Sequence, residues 1–475
     1  MVFSSNIFLF FFLPIFLILY YLTPQKFRNY TLLLFSLIFY AYGAPDFILV
    51  LVGECVVNYF LVRGMAKNPS HKRLLCAISI LLSLGLLLYF KYANFFMENF
   101  NAVMGWFHKE PVGWMKVALP IGISFFTFQS ITYTLDVYRG VTPPSKKLTD
   151  YVLYIMMFPQ LIAGPIVNYN AVAAQLVSRE STMENRALGF YRFVIGLSKK
   201  VLIANTLALY ADQVFGMNYA ELSSGAAWLG ILSYTMQIYF DFSGYSDMAI
   251  GLGMMMGFRF PENFNDPYTS KSITEFWKRW HMTLGSFIMN YLYIPLGGNR
   301  KGKGRTYLNL WLCFLLSGLW HGASWTFVLW GAFHGFFICL DKLLGVNRKT
   351  DKRELSMLRS SFSVLLTFLI VMMGWVLFRV DDVAGAGGFY KALFSFKSGL
   401  QGTTDPQFWT TLALAIFFSF LTLTKAGQKL QDAIFAEHYS KRLSWTMFTL
   451  CLILLVLSTG ALCVSDFNPF IYFRF

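Results

Sequence analysis

SGLWHGASWTFVLWGAFHG, Ser317 to Gly335, sets two histidines among hydroxyl and indole groups inside a hydrophobic run. Each such polar group costs several kcal/mol in hydrocarbon unless it is paired or lines a cavity. A stretch of this kind therefore belongs to the interior of a membrane bundle. An imidazole at that depth is a functional-site candidate by the same argument, and His321 is the first residue to test.

The rest of the chain agrees. Its 475 residues are 56% hydrophobic, 19% aromatic and only 13% charged, with a mean hydropathy of +0.52. A soluble domain carries about 25% charged residues, so this composition predicts an all-α polytopic membrane protein. Apolar runs recur at 7–22, 30–42, 47–62, 75–90, 117–134, 151–167, 187–215, 226–257, 307–321, 324–340, 360–379, 408–424 and 445–463. Several are shorter than the about 20 residues that cross a bilayer upright, which predicts about 10–12 spans with half-helices or re-entrant pieces around a central funnel. Segment 226–257 would make a helix of about 48 Å, longer than the bilayer needs, so a break near Gly244 is expected.

The first residues lack a basic n-region and an A-x-A-like cleavage site, and Pro14 interrupts their apolar run, so they read as a retained span. Cys55, Cys76, Cys313, Cys339, Cys451 and Cys463 have no metal-ligand spacing and read as small hydrophobes, with no disulfide framework and no metal site. The net charge of +15 is too scattered for a nucleic-acid footprint and reports topology instead. The most basic connections, Arg63 to Arg73, Arg300 to Arg305 and Lys342 to Arg359, are expected in the cytoplasm. From there 307–340 is a hairpin, 360–379 exits, 408–424 re-enters and 445–463 exits, which puts Asp466 to Phe475 on the outer face. Lys199 and Lys200 split segment 187–215. With no internal repeat and no long linker, the chain reads as one membrane-embedded domain over 1–475, with its core motifs in 157–340.

Two stretches are mixed in character. Asp381 to Pro406 reads as a Gly-rich outer loop. Within Arg259 to Pro295, Phe276, Trp277, Trp280, Leu284 and Phe287 recur at helical spacing while Lys278, Arg279 and His281 face elsewhere. That pattern predicts an amphipathic helix in the interface plane, with His281 at the cytoplasmic rim of the cavity.

MFPQLIAGPIVNYN at Met157 to Asn170, QIYFDFSGYSDMAIGLGMMMGFRFPENFNDPY at Gln237 to Tyr268, EFWKRWHMTL at Glu275 to Leu284 and SGLWHGASWTFVLWG at Ser317 to Gly331 resemble the membrane-bound O-acyltransferase (MBOAT) family. Within it the chain is most similar to the branch that O-acetylates bacterial alginate, over about Met1 to Phe378. The resemblance implies that His321, in the Trp-His-Gly motif, is essential and that His281, in Arg-Trp-His, is its companion. It also implies a cytosolic acyl donor, acetyl-CoA or another thioester, with no bound cofactor. The expected acceptor is a surface polysaccharide, reached with a secreted serine-esterase-like (SGNH) acetyl-transfer protein, from the cell (inner) membrane.

The physical reading of these residues is compatible. A helix from Arg305 reaches His321 after about 24 Å, deep in the roughly 30 Å core, so a cytosolic thioester needs a funnel. Gly318 and Gly322 leave room for a neighbouring backbone or a slim pantetheine arm. Trp320 and Asn265 are further candidates for donor contact. A pKa near 6.5 suits His321 to take a proton from an attacking hydroxyl; a histidine that only packs is the alternative. Asp241 either pairs with a membrane Lys or Arg, caps a half-helix or contacts substrate. Asn263, Asn265 and Asp266 either touch the donor or cap the interfacial helix. Arg300, Lys301, Lys303 and Arg305 form a basic nest for coenzyme A phosphates, or a plain positive-inside anchor. His334, thirteen residues after His321, cannot share its face and reads as structural.

DFNPFIYFRF, Asp466 to Phe475, resembles the Phe-Ile-Tyr ending of the small partner protein in teichoic acid D-alanylation. That similarity implies a tyrosine, here Tyr472, that carries the acyl group; an aromatic-belt anchor is the other reading. Alternatives outside polysaccharide acetylation are D-alanyl transfer, lysophospholipid or protein acylation, and a transporter or flippase, although no paired halves with broken helices are visible.

Overall fold

The computed structural model describes residues 1–346, 357–465 and 467–471. Among them every regular element is helical, and the one β-type pairing is an isolated antiparallel bridge between Phe264 and Trp280. Among the described residues, seven helices are long and apolar enough to cross a membrane. The chain is thus an all-α, multi-pass membrane protein, and it divides into two compact units.

Met1–Arg186 and Leu252–Pro261 form the first unit. It contains α1 (Phe8–Leu22), α2 (Arg28–Gly43), α3 (Pro45–Lys67), α4 (Pro69–Trp106), α5 (Ile123–Arg139), α6 (Leu148–Met156) and α7 (Tyr169–Val177). Large apolar side chains such as Leu49, Phe60 and Leu81 stay exposed on α3 and α4, as lipid-facing surfaces require. The inward faces are joined by polar side chains instead. Glu54 Oε1 accepts from Asn58 at 2.6 Å and Ser83 at 2.7 Å, and Ser79 donates to Asn58 Oδ1 at 2.7 Å. Interhelical hydrogen bonds of this kind hold helices together where the hydrophobic effect cannot.

Ala187–Gly251 and Glu262–Phe475 form the second unit. Its helices are α8 (Met183–Phe215) from Ala187 on, α9 (Ser224–Met256) as far as Gly251, α10 (Ile273–Arg279), α11 (Met282–Phe287), α12 (Lys303–His321), α13 (Trp325–Leu343), α14 (Met357–Arg379), α15 (Val383–Leu393), α16 (Pro406–Phe420), α17 (Lys425–Ile434) and α18 (Lys441–Val464). The expected break near Gly244 does not occur, because α9 runs unbroken for 33 residues. Gly244 serves a close crossing instead. A Cβ there would stand 2.7 Å from Gly196 O of α8, and one on Gly196 would stand 2.5 Å from Gly244 O.

Two other expectations change. The Gly-rich stretch after Asp381 is not all loop: Asp382 accepts from Gly385 N at 2.6 Å and caps α15. The predicted interfacial helix is two short helices, because Trp280 is extended and His281 is left-handed. Residues 347–356 of the expected basic connection lie outside the described residues.

Candidate active site

One face of α12 builds the wall of the site. Leu310, Cys313, Phe314 and Ser317 follow at helical spacing and line a cavity of about 950 Å³. Trp320 and His321, one turn further, continue that stripe at the helix end. His321 is buried, with ring contacts to Trp320 at 4.8 Å, Trp330 at 5.0 Å and Phe378 at 5.1 Å. The hairpin from α12 to α13 is tight because glycines face each other. A Cβ on Gly318 would stand 2.2 Å from Phe327 O, and one on Gly331 2.4 Å from Phe314 O. The space beside Gly318 is therefore filled by neighbouring backbone, one of the two occupants the sequence allowed.

Opposite α12, His281 lines the same cavity. It is buried rather than at an exposed rim, with 1% of its surface accessible. Its backbone, at φ 46° and ψ 54°, occupies a region that non-glycine residues seldom adopt. The cause is tertiary. Asn265 N donates to Arg279 O and Met282 N to Asn263 O, both at 2.9 Å, so residues 263–265 pair with 279–282 and force the turn.

Asn263 then fixes the imidazole. Its Oδ1 accepts from Thr283 N at 3.3 Å and Thr283 Oγ1 at 2.9 Å, which identifies that atom as the oxygen. His281 Nδ1, 3.0 Å from the same oxygen, must carry the proton, which leaves Nε2 an acceptor. Burial pushes the imidazole below the ordinary histidine range, to about 3, so it is neutral at cell pH. The Trp320 ring stands near both histidines, 6.0 Å from His281 and 4.8 Å from His321.

Lys278, Arg300 and Lys301 line the cavity too, with Gly297, Gly298 and Asn299. Of the predicted basic nest, Arg300 and Lys301 thus reach it, while Lys303 and Arg305 are exposed at the start of α12 and outside the lining. Asn265 lies in a separate, smaller pocket beside Arg192, Asp247 and Asp432. Asn263, named in the sequence only as a donor contact or helix cap, is the one of the pair that orients His281. His334 sits away from the cavity among rings, 5.0 Å from Trp277 and Trp330.

Asp241 is not in the cavity lining. It forms a buried ion pair with Lys200, Oδ1 to Nζ at 2.7 Å, the first of the alternatives its position offered. Tyr472 lies outside the described residues. Its predecessors do not spread on a surface: Phe470 and Ile471 are both 5% exposed.

The site thus consists of a cavity edged by basic residues and lined by the buried His281, with the buried His321 at the end of the α12 face that walls it. The profile of the MBOAT, membrane-bound O-acyltransferase family matches residues 141–380. The chain belongs to this family and is an O-acyltransferase. It is 44% identical over 495 residues to a probable alginate O-acetylase AlgI of Pseudomonas putida, with all of both chains covered. It is 38% identical to a peptidoglycan O-acetyltransferase of Helicobacter pylori, covering 85% of this chain and 81% of that one. A teichoic acid D-alanyltransferase of Bacillus subtilis matches at 26% over 54% of this chain and 68% of its own length.

Proposed function

We propose that the protein takes an acyl group, acetyl, from a cytosolic thioester such as acetyl-CoA and delivers it to a hydroxyl of an extracytoplasmic polysaccharide. The observation that carries this reading is the cavity beside α12: His281 lines it, His321 stands at the end of the α12 face that forms its wall, and Lys278, Arg300 and Lys301 border it. Basic side chains suit the phosphates of a coenzyme A donor. The acetyl assignment rests on relatives that match most of this chain and are named O-acetylases or O-acetyltransferases. A bacterial cell membrane, with the basic loops inside, is the location this chemistry needs.

In this mechanism Tyr472 is the first acceptor. Its hydroxyl gives its proton to His321 as the oxygen attacks the thioester carbonyl. The C–S bond breaks, and the leaving thiolate takes the proton from His321. An acetyl ester remains on the tyrosine. An incoming hydroxyl, on a secreted esterase-like partner or on the glycan, then attacks that ester and the tyrosine regains a proton. The carbonyls at the end of α12 stabilise the imidazolium formed at His321. Neutral His281, with Nε2 as acceptor, positions the donor by accepting from an amide N–H of its pantetheine arm.

The test is transfer of radiolabel from acetyl-CoA to purified protein. Base-labile label on the peptide containing Tyr472, absent in His321→Ala and Tyr472→Phe, is expected. Equal label in His321→Ala would overturn the assignment of the base.

A further inference from the structure

A buried Lys–Asp pair halfway along two helices calls for an explanation, and the segment seated on it supplies one. Lys200 lies in a π turn of α8, Lys199–Ala204, and Asp241 lies near the middle of α9. Ser198 and Ser458, 3.2 Å apart, put α18 beside α8 at this level. Beyond α18 the chain turns back along α8. Asn205 Nδ2 donates to Asn468 Oδ1 at 3.2 Å, Lys200 Nζ donates to the Pro469 carbonyl, and Ile471 N donates to Asp241 Oδ2 at 2.9 Å. Phe470 stacks on Tyr245, one turn along α9 from Asp241, with ring centroids 4.7 Å apart.

We propose that Lys200, Asp241, Asn205 and Tyr245 form a peptide-docking site whose occupant is the chain's own Asn468–Ile471. Docking of this segment serves the next residue, Tyr472, in acyl transfer. This rests on the reading of Tyr472 as carrier given above.

Four observations carry it. The site reads backbone as well as side chains: one carbonyl, one N–H, an amide and an aromatic ring. Pro469 restrains Asn468 to extended geometry, so less freedom is lost on docking. Asp241 is followed by Phe242, whose ring lies 4.8 Å from His281, so the same turn of α9 touches both the docked segment and the candidate site. Ile471 itself packs into the apolar cluster that holds Trp280, Trp330 and Phe378.

The ion pair also limits what undocking would expose. Lys200 and Asp241 neutralise each other, so a departing segment takes away hydrogen bonds and leaves no unpaired charge behind. Release and return are what a carrier needs if it loads at a buried site and unloads elsewhere.

The test is hydrogen exchange of the full-length protein in detergent, read on the peptide that contains Ile471, with gel filtration and thermal unfolding as controls for folding. In wild type the Ile471 amide should exchange at least about 100-fold more slowly than in a free peptide. Lys200→Met/Asp241→Leu, which replaces the pair by apolar side chains of similar volume, should remove that protection and lower acetyl transfer at least about tenfold. Phe470→Ala, which leaves the pair untouched, should also speed exchange. Free-rate exchange in wild type, or full protection in the double variant, would overturn the docking site. Tyr472→Phe separates the two ideas. In that variant the Ile471 amide should stay protected, and unimpaired transfer would sink the carrier while leaving the docking site in place.

Discussion

Asn263 shows how much of a site is decided by a single acceptor atom. Asn263→Ala leaves the His281 ring, Thr283 N and Thr283 Oγ1 without their shared partner in a buried place. Unsatisfied buried groups cost about 1–3 kcal/mol, so turnover should fall roughly 5- to 150-fold. Asn263→Asp, which keeps an oxygen at that point, should recover part of the loss. Equal activity in Ala and wild type would mean that the His281 orientation is immaterial. His281 also leaves a pH signature. Its unfolded value is about 6.5 and its folded value about 3. Above pH 6.5 both forms are neutral and the folded state is not penalised. As pH falls toward 3 only the unfolded chain takes the proton, so stability is lost. Thermal unfolding at pH 7 and pH 5 should therefore show a larger drop for wild type than for His281→Gln; equal drops would refute the buried neutral ring. His321 was legible as a candidate because it is an imidazole set in a hydrophobic run. The role of Asn263 was not, since it depends on the pairing of 263–265 with 279–282, which no local pattern announces.

At the scale of elements, the same residue type does different work according to what faces it. Gly318 and Gly331 admit no Cβ because backbone atoms stand 2.2–2.4 Å from where it would be, whereas Gly304 in the first turn of α12 has nothing within 4 Å. Gly318→Ala and Gly331→Ala should each destabilise the purified protein by about 1–3 kcal/mol through forced separation of α12 and α13. Gly304→Ala should be neutral or slightly stabilising. Thermal midpoints in detergent check this, and equal midpoints for all three would contradict the packing. Gly244 explains why the expected break in α9 is absent: its lack of a side chain lets α8 approach, so it is a contact and not a hinge. The split of the interfacial helix at Trp280 and His281 escaped the sequence for the opposite reason. Apolar spacing continues from Phe276 through Trp280 to Leu284, and all three are buried, although the backbone between them leaves the helix.

For the molecule as a whole, composition was enough to establish a multi-pass helical protein, because 13% charged residues cannot cover a soluble surface of this size. The basic loops predict an orientation, with Arg300–Arg305 in the cytoplasm. A membrane-impermeant maleimide on intact cells should label Ser398→Cys and should reach Lys301→Cys only after lysis, in a Cys463→Ser background; the reverse pattern would invert the topology. The proposed acyl transfer across the bilayer depends on that orientation and on His321 at the end of α12 remote from the Arg300–Arg305 loop. The most direct test compares wild type with His321→Ala at matched membrane levels, in a strain lacking its own copy of the protein, by measuring ester-linked acetyl on surface polysaccharide. The variant should lose at least about 100-fold of the acetyl restored by wild type, the scale of a missing general base. Equal acetyl in the two strains would contradict the proposal that this histidine performs the transfer.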